Sequence, residues 1–119
     1  MNVTSFNINI TTDNPQRLIE FYRDVVGLEP EPQVGEGAFK VAGSFILIDG
    51  HSETSGASKE PSRVLINMFV EDLAAEQKRL EAQGVAFIRT AGREYWGGVI
   101  STFTDPDGNY LQLIEFHPQ

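Results

Sequence analysis

The only two histidines of this 119-residue chain, His51 and His117, each follow a carboxylate by two residues, in Asp49-Gly50-His51 and Glu115-Phe116-His117. Residues i and i+2 of an extended strand share a face, so each pair could present an imidazole and a carboxylate to one divalent ion. The competing reading makes both histidines solvated surface groups, because His51 opens a polar linker and Glu115 has the opposite strand parity to Gln112. No other imidazole exists for acid–base work, and with no Cys there is no thiolate ligand, disulfide or cysteine nucleophile. A second set of groups consists of carboxamides: Asn7, Asn9, Asn67 and Gln112. Each carries two donors and an acceptor, which suits a neutral or weakly charged polar ligand, and each costs about 1–3 kcal/mol if buried unpaired. Mutual satisfaction between these amides, with Asn9 the counterpart of Asn67, is the alternative. Trp96, with Tyr95 before it and Gly97-Gly98 after, offers a planar face for stacking or cation–π contact on a loop that glycine leaves free to move. A purely packing Trp is the other reading.

The elements that must position these groups repeat. Phe6, Ile8 and Ile10 alternate with Asn7, Asn9 and Thr11, the pattern of a half-buried strand whose apolar side packs under a helix. Asn14-Pro15 then reads as N-cap and first helical residue, Leu18, Ile19, Phe21, Tyr22, Val25 and Val26 form a helical apolar stripe, and Gly27 ends it. A loop-and-edge segment from Leu28 to Phe39 precedes strands at 39–41 and 45–48. The polar stretch 51–62 is a linker, after which the order restarts. Val64, Ile66, Met68 and Val70 alternate with Leu65, Asn67 and Phe69; Asp72 caps a helix carrying Leu73, Gln77 and Leu80; Gly84 closes it. Strands are predicted at 85–88, 99–103 and 110–116, with a loop over 92–98 and a turn at Asp105-Pro106-Asp107-Gly108. Gly27 and Gly84 give a period near 57 residues, a duplication inside one domain rather than a solenoid. Chain 1–119 is thus expected to be a single α+β domain of two β-α-β-β-β modules, about 3–50 and 63–117. Parity sends Asn7, Asn9, Thr11, Leu65, Asn67, Phe69, Tyr110, Gln112 and Ile114 to one side, away from the helices.

Composition narrows the partners. Nine Lys and Arg stand against seventeen Asp and Glu, a net charge of −8 shared by both halves, which opposes a phosphate backbone. Nucleic acid is an unexpected partner. The first residues lack a basic region followed by an apolar core, no apolar run approaches the roughly 20 residues of a membrane span, and the absence of Cys suits a reducing interior. No membrane association and a cytoplasmic location follow as expectations.

Three segments, NPQRLIEFYRDVVGLEP from Asn14 to Pro30, WGG from Trp96 to Gly98 and FTDPDGNYLQLIEF from Phe103 to Phe116, make the chain similar to the vicinal oxygen chelate superfamily. That group includes glyoxalase I, extradiol ring-cleaving dioxygenases and bleomycin-binding resistance proteins. The resemblance implies a curved mixed sheet formed by the two modules around a cavity, with helices outside and homodimer formation common. It also implies, in metal-using members, one divalent ion held by a residue from the first and last strand of each module, usually His or Glu. Those positions fall here on Asn7, on Ile46 or Leu47, on Leu65 and on Gln112. An amide oxygen is a weak donor to Zn²⁺, Fe²⁺ or Ni²⁺, and Leu donates nothing, so no metal and no other cofactor is expected. The resulting expectation is a metal-independent binder of a small molecule, resembling the drug-sequestering resistance proteins, with Asn7, Asn9, Asn67, Phe69, Trp96, Tyr110 and Gln112 contacting the ligand and no catalytic residue. The alternative is a lyase or dioxygenase with its metal displaced to the Asp49/His51 and Glu115/His117 pairs, or a metal-free isomerase using Tyr110 or Glu115 as base.

Overall fold

In the computed structural model, which describes residues 1–117, two compact units divide the chain, Met1–Gly56 and Ala57–Gln119. The boundary falls inside the expected 51–62 linker.

The first unit begins with β1 (Asn7–Thr12), in which Ile10 and Thr12 are buried while Asn7 and Asn9 are exposed. Phe6 departs from the expected alternation: it precedes the strand and keeps 67% of its surface exposed, so nothing packs it under a helix. Thr12 takes the buried place instead, its Oγ1 accepting the Asn14 amide at 3.1 Å. Asn14 in turn accepts the Arg17 amide at 3.2 Å, which satisfies one of the orphan donors of helix α1 (Pro15–Glu20). The helix does not stay α-helical along the stripe. From Phe21 to Val26 it continues as π-helix, and the Tyr22 carbonyl accepts both the Gly27 and Leu28 amides, Gly27 lying in the left-handed region at φ 86°. Leu18, Ile19, Tyr22 and Val26 are the buried residues, and α1 packs on β1 and β4.

The 28–39 segment contains one short strand, β2 (Glu29–Pro30), paired antiparallel to β3 (Ala38–Val41), which pairs with β4 (Ser44–Gly50). β4 also lies parallel to β1, giving the order β1-β4-β3-β2. Gly37 holds the start of β3 against β4: its carbonyl accepts the Ile48 amide at 2.8 Å, and a Cβ there would collide with the Ile48 carbonyl and lie 3.2 Å from Ile19 Cδ1.

The second unit repeats this topology. β5 (Ile66–Phe69) lies parallel to β8 (Tyr110–Phe116), followed by β7 (Gly98–Thr104) and β6 (Phe87–Arg93) in the order β5-β8-β7-β6. Asp72 accepts the Ala75 amide at 3.0 Å and caps α2 (Leu73–Ala82), whose Leu73 and Leu80 are buried and which packs on β6, β7 and β8. Gln77, expected on the apolar side, instead accepts a hydrogen bond from buried Ser101 at 2.6 Å.

Three boundaries differ from expectation. β5 is shorter than 64–70, with Val64 71% exposed. Val85 lies outside any strand because its amide still bonds the Leu80 carbonyl at the helix end, so β6 starts at Phe87. β6 then runs through Arg93 into the expected 92–98 loop, with register shifts between Phe87 and Gly92 that a regular alternation does not reveal. The fold is α+β, with neither four-stranded sheet closed on itself. Among the described residues no buried side-chain nitrogen or oxygen lacks a hydrogen-bond partner, and no helix is long and apolar enough to cross a membrane.

Gly37→Ala is expected to lower stability by about 1–3 kcal/mol, the cost of forcing an extra carbon into a closed site. Gly43→Ala, where a Cβ meets nothing within 4 Å, serves as the near-neutral control in urea unfolding of both variants.

Candidate functional site

Strand register decides which side chains can act together. In the second unit Asn67 lies beside Gln112, and Gln112 beside Thr102, which is aligned with Arg89 on β6. A polar row therefore crosses the sheet, and the Gln112 Nε2 donates to Thr102 Oγ1 at 3.1 Å. The rows on either side pair Phe69 with Ile114 and Ile100, and Tyr110 with Thr104. Phe69 is 67% exposed, so this face carries uncovered apolar surface next to its amides.

Phe116 continues the same face of β8, two residues beyond Ile114. Trp96 packs against it in a tilted arrangement, with ring centroids 5.5 Å apart and planes at 53°. The indole lies over Gly98, where any Cβ would fall inside the ring, and the Gly97 amide bonds the Glu94 carbonyl at 3.0 Å to form the turn that carries it. Trp96 thus packs and remains 40% exposed at once. Tyr95 is fully exposed, and Glu94 pairs with Arg89.

In the first unit Asn7 lies beside Phe45 and Asn9 beside Leu47, on the face opposite α1. Asn7, Asn9 and Asn67 are exposed, and none of these carboxamides has a hydrogen-bond partner among the described residues. The structure therefore brings Asn67, Phe69, Tyr110 and Gln112 onto one face, with Trp96 joined through Phe116; Asn7 and Asn9 occupy the corresponding face of the first unit. Thr102 and Phe116 are the members that sequence reasoning missed. Extending the β8 alternation by one more step would have found Phe116.

The resemblance assigns the ligands of metal-using members to Asn7, Ile46 or Leu47, Leu65 and Gln112. Leu47, not Ile46, shares the face of Asn7 and Asn9, because Ile46 is 3% exposed on the helix side. Two amides, one of them already bonded to a threonine, and two hydrocarbon side chains do not fit a divalent cation. The displaced pairs do not compensate. Glu115 faces α2, where it accepts the Leu73 amide at 2.9 Å and contacts His117 Nε2 at 2.8 Å, and His51 Nδ1 accepts the Glu53 amide at 3.0 Å. Among the described residues no three His, Asp or Glu side chains are grouped to hold a metal ion.

A model of the Glyoxalase/Bleomycin resistance protein/Dioxygenase superfamily matches residues 5–113, and the chain belongs to that family. Many solved structures share its fold, three of them as follows. An antibiotic binding protein, TnmS3 from Streptomyces sp. CB03234, is 20% identical with a TM-score of 0.75 over 98% of each chain. A glyoxalase/bleomycin resistance protein/dioxygenase family enzyme from Burkholderia phytofirmans PsJN is 20% identical with a TM-score of 0.75, over 93% of this chain and 97% of the other. An integron cassette protein from V. cholerae is 19% identical with a TM-score of 0.74 over 98% of each. No curated protein matches the chain in sequence.

The Leu73 amide, and next the His117 contact, hold the Glu115 carboxyl below its ordinary pKa. Its contribution to stability is therefore complete above the ordinary glutamate range, about pH 4.3, and is lost as pH falls through the lower folded-state value. Urea unfolding of the wild type and Glu115→Gln should show a stability gap at pH 7 that narrows toward pH 3.

Proposed function

We propose that the chain binds a small molecule without a metal ion and sequesters it, as a single domain built from the two units. The carrying observation is the donor set at Asn7, Leu47, Leu65 and Gln112, which lacks every imidazole and carboxylate that would give an ion a Lewis-acid role. What remains on those faces is recognition chemistry. Unpartnered carboxamides supply paired donors and acceptors, Phe69 and Tyr110 supply apolar and aromatic walls, and Trp96 supplies a partly exposed ring supported from behind by Phe116.

The ligand that suits these groups is neutral or weakly cationic, polar and partly planar, a description that includes glycopeptide antibiotics. The net charge of −8 favours cationic over anionic candidates. The antibiotic-binding relative of the same fold supports the sequestering role. A cytoplasmic homodimer is the assembly and location that accord with this reading.

Elemental analysis of protein purified without chelator should find less than about a tenth of an equivalent of Zn, Ni, Fe or Mn; stoichiometric tightly held metal would remove the reading. Calorimetry with metal-free bleomycin and a panel of other antibiotics should then identify a ligand whose affinity is unchanged by prior chelation of the protein. Asn67→Ala with Gln112→Ala is expected to weaken that ligand by about tenfold or more, since each lost hydrogen bond to a neutral partner contributes about 0.5–1.5 kcal/mol.

A further inference from the structure

Within the first unit a cleft of about 400 Å³ opens where β3 begins beside the last residues of β4. It is large enough for an organic ligand. Ile19 from α1, Ala38 and Ile48 from the sheet and Val34 from the preceding loop make its walls apolar. Gly37 makes the space possible, since the loop can lie against Ile48 only without a side chain there.

Two carboxylates, Glu36 and Asp49, also line the cleft. Both are exposed, and neither has an ion pair or hydrogen bond among the described residues. No Lys or Arg lines the cleft, and residues 1–56 hold three Lys and Arg against eight Asp and Glu. An apolar body would bury against Ile19, Val34 and Ile48, while a positive end would meet the two carboxylates. A neutral apolar guest would leave that charge uncompensated, and an anionic one would be repelled.

We propose that this cleft is a second binding site, for a small amphiphilic organic cation such as an arylalkyl ammonium. It shares only Leu47 with the positions named above, and none of the carboxamide or aromatic groups invoked there lines it.

The probe is 4-phenylbutylamine, with 4-phenylbutanol as its uncharged isostere and 4-phenylbutyrate as the anionic one, each titrated into ¹⁵N-labelled protein. The amine should give saturable amide shifts centred on residues 34–38 and 47–50, the alcohol should bind about tenfold more weakly, and the acid should not bind. Glu36→Gln with Asp49→Asn, both at exposed positions, should bring amine affinity down to that of the alcohol and leave the alcohol unchanged. Val34→Trp, which fills the mouth, should weaken both. Equal affinities for amine and alcohol, or amine shifts centred on Asn67, Thr102 and Gln112, would overturn the proposal. Antibiotic binding that persists in the double charge variant separates this site from the other.

Discussion

The parallel pairing of the first and last strand in each module is the constraint on which everything else depends. β1 lies on β4 and β5 on β8, and a parallel pair needs a crossover between its members, which each module supplies with a helix and two further strands. Because the helix covers one side, the carboxamides of each pair lie on the other. Within the first sheet Asn7, Asn9 and Leu47 share a face through this pairing, and within the second Asn67 and Gln112 do.

The duplication preserves backbone and lets chemistry drift. Ile8 aligns with Ile46 as Ile66 aligns with Leu111, so Leu47 and Gln112 occupy equivalent places next to Asn9 and Asn67. One module has hydrocarbon where the other has a carboxamide anchored on Thr102. The two faces are therefore alike in strand register and unlike in chemistry.

Where local chemistry governs, the structure was legible beforehand. Asn14 and Asp72 cap their helices, Gly27 takes the left-handed conformation at the end of the first helix, and β8 spans Tyr110–Phe116 as its alternation implies. The misses have non-local causes. The π-helical stretch keeps an apolar stripe that periodicity cannot distinguish from an α-helix, and β6 is irregular because Ala91 bonds to Ser101 across the sheet. For the site, alternation identified Asn67, Phe69, Tyr110 and Gln112. It could not anticipate that Trp96 rests on Phe116, nor a cleft formed by Gly37 pressed against the carbonyl of Ile48 further along the chain.

The Asp105-Pro106-Asp107-Gly108 turn has a consequence for fidelity of recognition. One Asp105 oxygen accepts the Asp107 and Asn109 amides at 2.9 and 3.0 Å, the other takes the Asn109 side chain at 2.9 Å, and the carboxylate is almost wholly enclosed. The hairpin between β7 and β8 is thereby pinned in one alignment. Sliding β8 by a single residue would rotate Gln112 inward beneath α2 and turn Leu111 or Leu113 outward, exchanging an amide surface for a greasy one. A carboxylate in the turn would thus act as the ratchet stop that keeps the Gln112 side of the sheet facing out.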